Sequence, residues 1–127
     1  MRTINIAAAL SGAIALVMLV LAAHVLELAA ADAERVHLGA FIQLGSAAAG
    51  LAVSNRSGAL NLVSGAMILA GAALFSGTLY ALALTHSHAI AIVAPFGGAT
   101  LIAGWIVLAF ARPVRLEIAR AATWIAT

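Results

Sequence analysis

Apolar residues fall into four long runs along the chain, at about 4–26, 36–53, 59–84 and 89–111. Short polar connections separate them. Residues 27–35 hold Glu27, Asp32, Glu34 and Arg35; Ser54-Asn55-Arg56-Ser57-Gly58 is rich in turn formers; Thr85-His86-Ser87-His88 makes the third connection. A run of about 20 apolar residues is long enough to cross a bilayer as a helix. Within hydrocarbon only helices and closed barrels satisfy their own backbone, and these runs are too long and too evenly apolar for barrel strands. The pattern predicts an all-α fold, a single bundle of four transmembrane helices over residues 1–111. Residues 112–127 are predicted to form a cytoplasmic amphipathic tail.

Composition removes the alternatives to a membrane protein. Of 127 residues, 65% are apolar and 8% charged, against about 25% charged in an average soluble domain. A soluble globule of this size keeps too much surface to hide that apolar content. Six arginines and no lysine are scattered along the chain, so no basic stripe tracks a phosphate backbone and no nucleic-acid partner is expected. Cysteine is absent, which removes disulfides, thiolate metal ligands and cysteine catalysis. The start, Met1-Arg2, and the A-x-A form of Ala31-Asp32-Ala33 suggest a cleaved signal. The 4–26 run exceeds the roughly 7–15 residue core of a signal peptide, so a retained helix is expected.

Arginine distribution sets the expected orientation. With four spans, the N-terminus, the second connection and the C-terminus share one side. That side holds Arg2, Arg56, Arg112, Arg115 and Arg120; the other holds Arg35 alone. Both termini are therefore expected in the cytoplasm of a cytoplasmic (inner) membrane. Glu27, Asp32, Glu34 and all four histidines then lie near the outer face.

Within the spans, small and polar residues form stripes. Span two is the least apolar. Its Gly39, Gln43, Ser46 and Gly50 share one helical face, opposite Phe41, Leu44 and Leu51, so this helix is expected to pack inside the bundle. Span three carries a small-residue stripe, Ala66, Ala70, Ala73, Gly77 and Ala81, of the kind that lets membrane helices approach closely, with a substrate groove as the alternative. Its glycines 65, 71 and 77 point in different directions. Span one offers Ala8, Gly12 and Ala15. In span four, Pro95-Phe96-Gly97-Gly98 predicts either a kink or the start of the regular helix at Pro95, with glycines open to another helix or a ligand. Beyond Pro113, the positions Val114, Ile118, Ala121 and Ile125 share a helical face beside Trp124. Residues 114–126 are expected to be a short interfacial helix, with partner docking as the alternative.

The second half carries a combination of elements specific enough to resemble a known family. Gly71-Ala72-Ala73-Leu74-Phe75-Ser76-Gly77-Thr78-Leu79-Tyr80 is followed by Ala94-Pro95-Phe96-Gly97-Gly98 and Gly104-Trp105. These resemble the domain-of-unknown-function 423 family of small four-helix membrane proteins, to which the eukaryotic transmembrane protein 256 group is similar. Ala23-His24 resembles that family's element after its first span, with Ala for Gly. Gln43 fits a second element, in which Ile42 stands for the usual Tyr and Ser46 for the usual His. The resemblance implies the fold and topology and brings no activity with it.

Candidate chemistry is sparse. His24 and Glu27 are three residues apart, as are Glu34 and His37; on a helix each pair shares a face. With His86 and His88 they are placed by topology near one membrane face. Imidazoles and carboxylates suit zinc, copper or iron, and His24, Glu27, His86 and His88 form the candidate metal set. Gln43, Ser46, Ser76, Tyr80 and Thr100 are candidates to line a polar path or to hydrogen-bond helices together. No span has a central acid or arginine, which argues against ion pumping. No G-x-S-x-G, H-E-x-x-H or intramembrane Asp pair is present, so no catalytic residue is assigned, and no cofactor is indicated. The expected function is a non-catalytic accessory or scaffold subunit whose partners are the lipid bilayer and other membrane helices, or further copies of itself. A homo-oligomeric pore or small-solute carrier is the alternative, and an outer-face metal or cofactor binder the third. The residues singled out as a ligand or packing site are His24, Gln43, Ser76, Tyr80, Pro95, Gly97 and Gly98.

Overall fold

The computed structural model describes residues 1–112, the backbone of 115–120, and residues 121–126. Its elements are α1 (Arg2–His24), α2 (Ala30–Ser54), α3 (Ala59–Thr85), a 3₁₀ segment (His88–Val93), α4 (Ala94–Phe110) and α5 (Arg115–Ala126). No strand occurs among the described residues. Four helical segments are long and apolar enough to cross a membrane, the fourth combining the 3₁₀ segment with α4.

Helix ends follow local chemistry more closely than hydropathy does. The connection expected over 27–35 is shorter, because α2 already begins at Ala30. Asp32 sits in its first turn, where a carboxylate meets the partial positive charge of the helix start. Arg35 Nη1 donates to Asp32 Oδ1 at 2.5 Å, three residues on. The helix thus begins ahead of its apolar run, with the charges in its first turns. Gly58, at φ +103°, takes a conformation open to glycine and leads into α3. His86 closes α3 in the left-handed region, its N–H bonding Leu82 O.

Of the two expectations for Pro95, the second holds. Pro95 lies in the first turn of α4, where its missing N–H leaves no helical bond unmade. The chain reaches it through the 3₁₀ segment.

The four spans pack in chain order. α1 lies on α2, α2 on α3, and α3 on α4; α1 meets α3 in a lesser contact, and α4 approaches neither α1 nor α2. The array is an open row with α3 flanked on both sides. Toward one end, Ala15, Val36, Ala40, Tyr80 and Ala83 form a buried cluster. Toward the arginine-bearing end, Ile4, Ala8 and Leu69 form a smaller one. The Gly39, Gln43, Ser46 and Gly50 stripe is buried throughout, as expected for span two.

The stripe expected to seat α3 against a neighbour requires correction. Ala66, Ala70, Ala73 and Gly77 are exposed, and Ala81 is half-buried. α3 instead meets its neighbours through Ser64, Gly65, Ile68, Gly71, Ala72 and Ser76. Lipid tails are as apolar as side chains, so a row of small residues does not reveal which face another helix covers.

The C-terminal helix expected over 114–126 is present as α5. Val114 lies outside the described residues, as does the side chain of Ile118. Ala121, Trp124 and Ile125 are exposed.

Candidate functional site

At the centre of the row, three helices are joined by side-chain hydrogen bonds. Tyr80 of α3 donates its hydroxyl to Gln43 Oε1 at 2.6 Å. Gln43 of α2 donates through Nε2 to Ser11 Oγ of α1 at 3.2 Å. Gln43 is 4% exposed and Ser11 and Tyr80 are each 9% exposed. A buried amide left without partners costs about 1–3 kcal/mol, so the three residues specify one another's positions. Gln43 reaches both because it lies on the buried stripe of α2. Gly39, one turn earlier, lets Tyr80 in: a Cβ there would stand 3.1 Å from the ring.

Two further hydroxyls bind glycine carbonyls across helix pairs. Ser76 donates to Gly39 O at 2.7 Å. Ser64 donates to Gly104 O at 3.2 Å. In each case the missing side chain brings the acceptor backbone within reach of a short hydroxyl.

The α3–α4 crossing is backbone against backbone. A Cβ on Gly71 would lie 2.5 Å from Leu101 N, and one on Gly97 would lie 2.5 Å from Phe75 N. Each glycine faces the carbonyl oxygen of the other, at 2.9 and 3.0 Å from the built Cβ. Gly97 is therefore a packing residue, filled by another helix of the same chain. Gly98 is half-buried against the Phe75 ring, and Pro95 is exposed.

Thr100, named for a polar path, is half-buried and donates to Phe96 O in its own helix. Ser46 is buried. The hydrogen bonds of Gln43, Ser76 and Tyr80 run between helices.

At the opposite end from most arginines, Asp32 joins two elements. Its side chain is 7% exposed, and its Oδ2 stands 3.4 Å from His86 Nδ1. The candidate metal set is not brought together. α1 ends at His24, with Leu26 N–H closing onto Leu21 O, so Glu27 is not on the helix that carries His24. His24, Glu27 and His88 are exposed. Among the described residues, no group of three or more His, Cys, Asp or Glu side chains is placed to hold a metal ion. Glu34 and His37 are both exposed on α2.

Four polar residues central to the packing were not singled out by their sequence: Ser11, Asp32, Asn61 and Ser64. Ser11 had a signal, since it lies on the face of Ala8 and Ala15. Asn61 is 2% exposed at the arginine-bearing end and donates to Ser57 O at 2.8 Å and to Arg112 O at 3.2 Å. Nothing in the residue pattern distinguishes Asn61 or Ser64 from surface polar groups at a helix start.

The elements that resemble a known family map onto these contacts. Phe75, Ser76 and Tyr80 lie at the two flanks of α3, Gly97 at the α3–α4 crossing, and Gly104 against Ile68. A family model described as a protein of unknown function (DUF423) matches residues 7–98. The chain is similar to the UPF0382 inner membrane protein YgdD of Escherichia coli. They are 34% identical over 113 residues, covering 84% of this chain and 86% of the relative. It is also similar to a UPF0382 membrane protein of Haemophilus influenzae, at 50% identity over 42 residues, or 33% of this chain and 34% of that one. No solved structure matches the chain. With the model match spanning most of its length, this four-helix membrane protein belongs to the DUF423 family.

Proposed function

We propose that the chain is a non-catalytic accessory or scaffold subunit that packs against other membrane helices. The observation that carries this reading is the open row. α4 meets α3 alone among the spans, and α1 has α2 as its one extensive neighbour. Both end helices keep long apolar flanks, including Leu16, Val17 and Val20 on α1 and Ile102, Ile106 and Phe110 on α4. A closed four-helix bundle offers no such edges; a row can be continued by another helix. The interior supports the non-catalytic part. Gln43, Tyr80, Ser76 and Ser64 bond to one another or to backbone carbonyls, an arrangement suited to holding helices together.

The same reading puts both termini in the cytoplasm, on the five-to-one arginine asymmetry. It lays α5 at the membrane surface, where Trp124 and Ile125, at 83% and 87% exposed, would enter the headgroup boundary. Native mass spectrometry of the protein extracted in lipid nanodiscs from its own host tests the assembly. A second polypeptide, or a second copy, at fixed stoichiometry is expected. A chain that always emerges alone overturns the subunit reading.

A further inference from the structure

The early contact between α1 and α3 leaves a groove beside it on the lipid side. Its volume is about 420 Å³. It runs from Thr3 to Ile14 along α1 and from Ala66 to Ala73 along α3, with Ser11 and Gln43 at its buried base. The three exposed alanines of the α3 stripe within it, at 66, 70 and 73, are what leave it open.

We infer that this groove holds one acyl chain of an anionic phospholipid from the arginine-bearing leaflet. Length is the first argument. The helix from Thr3 to Ile14 rises about 16 Å, close to the ~15 Å that is half of a hydrocarbon core. The groove therefore runs from the membrane surface to the midplane and stops there, as a lipid tail does. A partner helix would need a track across the whole membrane. Volume is the second argument. At about 420 Å³ spread along that length, the groove is a narrow slot suited to a single unbranched chain. Chemistry is the third. The walls are apolar, and the two polar groups at the base are bonded to each other at 3.2 Å, so a tail leaves no polar group newly stranded.

Charge at the mouth selects the headgroup. The groove opens at the end where α1 starts, α2 ends, α3 starts and α4 ends. Ser54 Oγ donates to Asn5 Oδ1 at 3.3 Å, and Asn61 Nδ2 to Arg112 O at 3.2 Å, which brings those four ends together. Arg2, Arg56 and Arg112 all belong to this end, and Arg2 immediately precedes Thr3 of the groove. No acidic residue lies among residues 1–26 or 36–112; the one acid of this end, Glu117, follows in the C-terminal tail with Arg115 and Arg120. Phosphates on the same leaflet therefore meet an end of net positive charge.

The test uses the full chain, purified in detergent and given equimolar dioleoyl-phosphatidylglycerol and dioleoyl-phosphatidylcholine before native mass spectrometry. One retained phosphatidylglycerol per chain is expected. Ala70→Phe fills the groove and should abolish retention, whereas Ala99→Phe, exposed on α4, should leave it intact. Arg2 is exposed, and Arg2→Gln should lower the preference for phosphatidylglycerol over phosphatidylcholine about fivefold. It reads the headgroup even if Ala70→Phe does not fold. Equal retention in wild type, Ala70→Phe and Ala99→Phe overturns the assignment, as does an unchanged headgroup preference in Arg2→Gln. A polypeptide, rather than a lipid, released by Ala70→Phe also overturns it.

Discussion

Each flank of α3 carries one serine-to-glycine-carbonyl bond, but beyond that the two flanks join their neighbours differently. Toward α4, the contact is made by absence: Gly71 and Gly97 bring two backbones so close that a methyl group on either would strike a main-chain nitrogen at 2.5 Å. Toward α2 and α1, the contact is made by reach: Gln43 spans from Tyr80 to Ser11 through two hydrogen bonds. In lipid, helices gain little by hiding apolar surface from one another, so close packing and interhelical hydrogen bonds have to supply the attraction. One helix uses both. The glycine side tolerates no added atom, whereas the hydrogen-bonded side is looser and leaves a groove beside it.

The largest expected effect breaks the tight flank. Gly97→Ala places a methyl group against Phe75 N and must separate α3 from α4. It should destabilise the protein by about 3 kcal/mol, the upper end for overpacking, read as a lowered unfolding midpoint in mixed micelles. An unaltered midpoint would mean that the crossing is not the close backbone contact described.

A smaller effect is expected on the other flank. Gln43→Ala strands the Tyr80 hydroxyl in the interior and should cost about 1–2 kcal/mol. Combined with Tyr80→Phe in a double-mutant cycle, the coupling should be about 0.6 kcal/mol, the average for interhelical hydrogen bonds in a membrane protein. Purely additive losses would show that the two residues act through packing alone.

The smallest effect sharpens the contrast. Gly77 sits on the same helix as Gly71, two residues past Phe75, yet a Cβ there meets nothing within 4 Å. Gly77→Ala should change the midpoint by no more than about 0.5 kcal/mol, or raise it, since alanine is the better helix former. A loss comparable with that of Gly97→Ala would show that this face is covered by a partner in the membrane.

Much of this was legible beforehand. The spans expected at 4–26, 36–53, 59–84 and 89–111 match α1, α2, α3 and the 3₁₀ segment with α4 to within a few residues, except at the start of α2. The buried face of α2 followed from period, because Gly39, Gln43, Ser46 and Gly50 recur at helical spacing on one side and include the span's one amide. The divergence of Gly65, Gly71 and Gly77 was also readable: Gly65 meets Val53 and Ile4, Gly71 meets α4, and Gly77 meets nothing. The outward face of Ala66, Ala70 and Ala73 was not readable, for the same residues would serve a helix contact or a lipid groove. Nor was the separation of His24 from Glu27, which depended on α1 ending at His24.

Hydrophobic length and backbone hydrogen bonding thus dictate the membrane, the helices and the order of spans, because both act residue by residue along the chain. Which faces meet is another matter. A bilayer is as apolar as the inside of the bundle, so hydropathy cannot rank one face over another. That choice rests on shape and on a few directed bonds: Gly71 fitting Gly97, Tyr80 finding Gln43, Asp32 standing beside His86. These partners are 26, 37 and 54 positions apart in the chain. Their fit exists only once the helices are side by side.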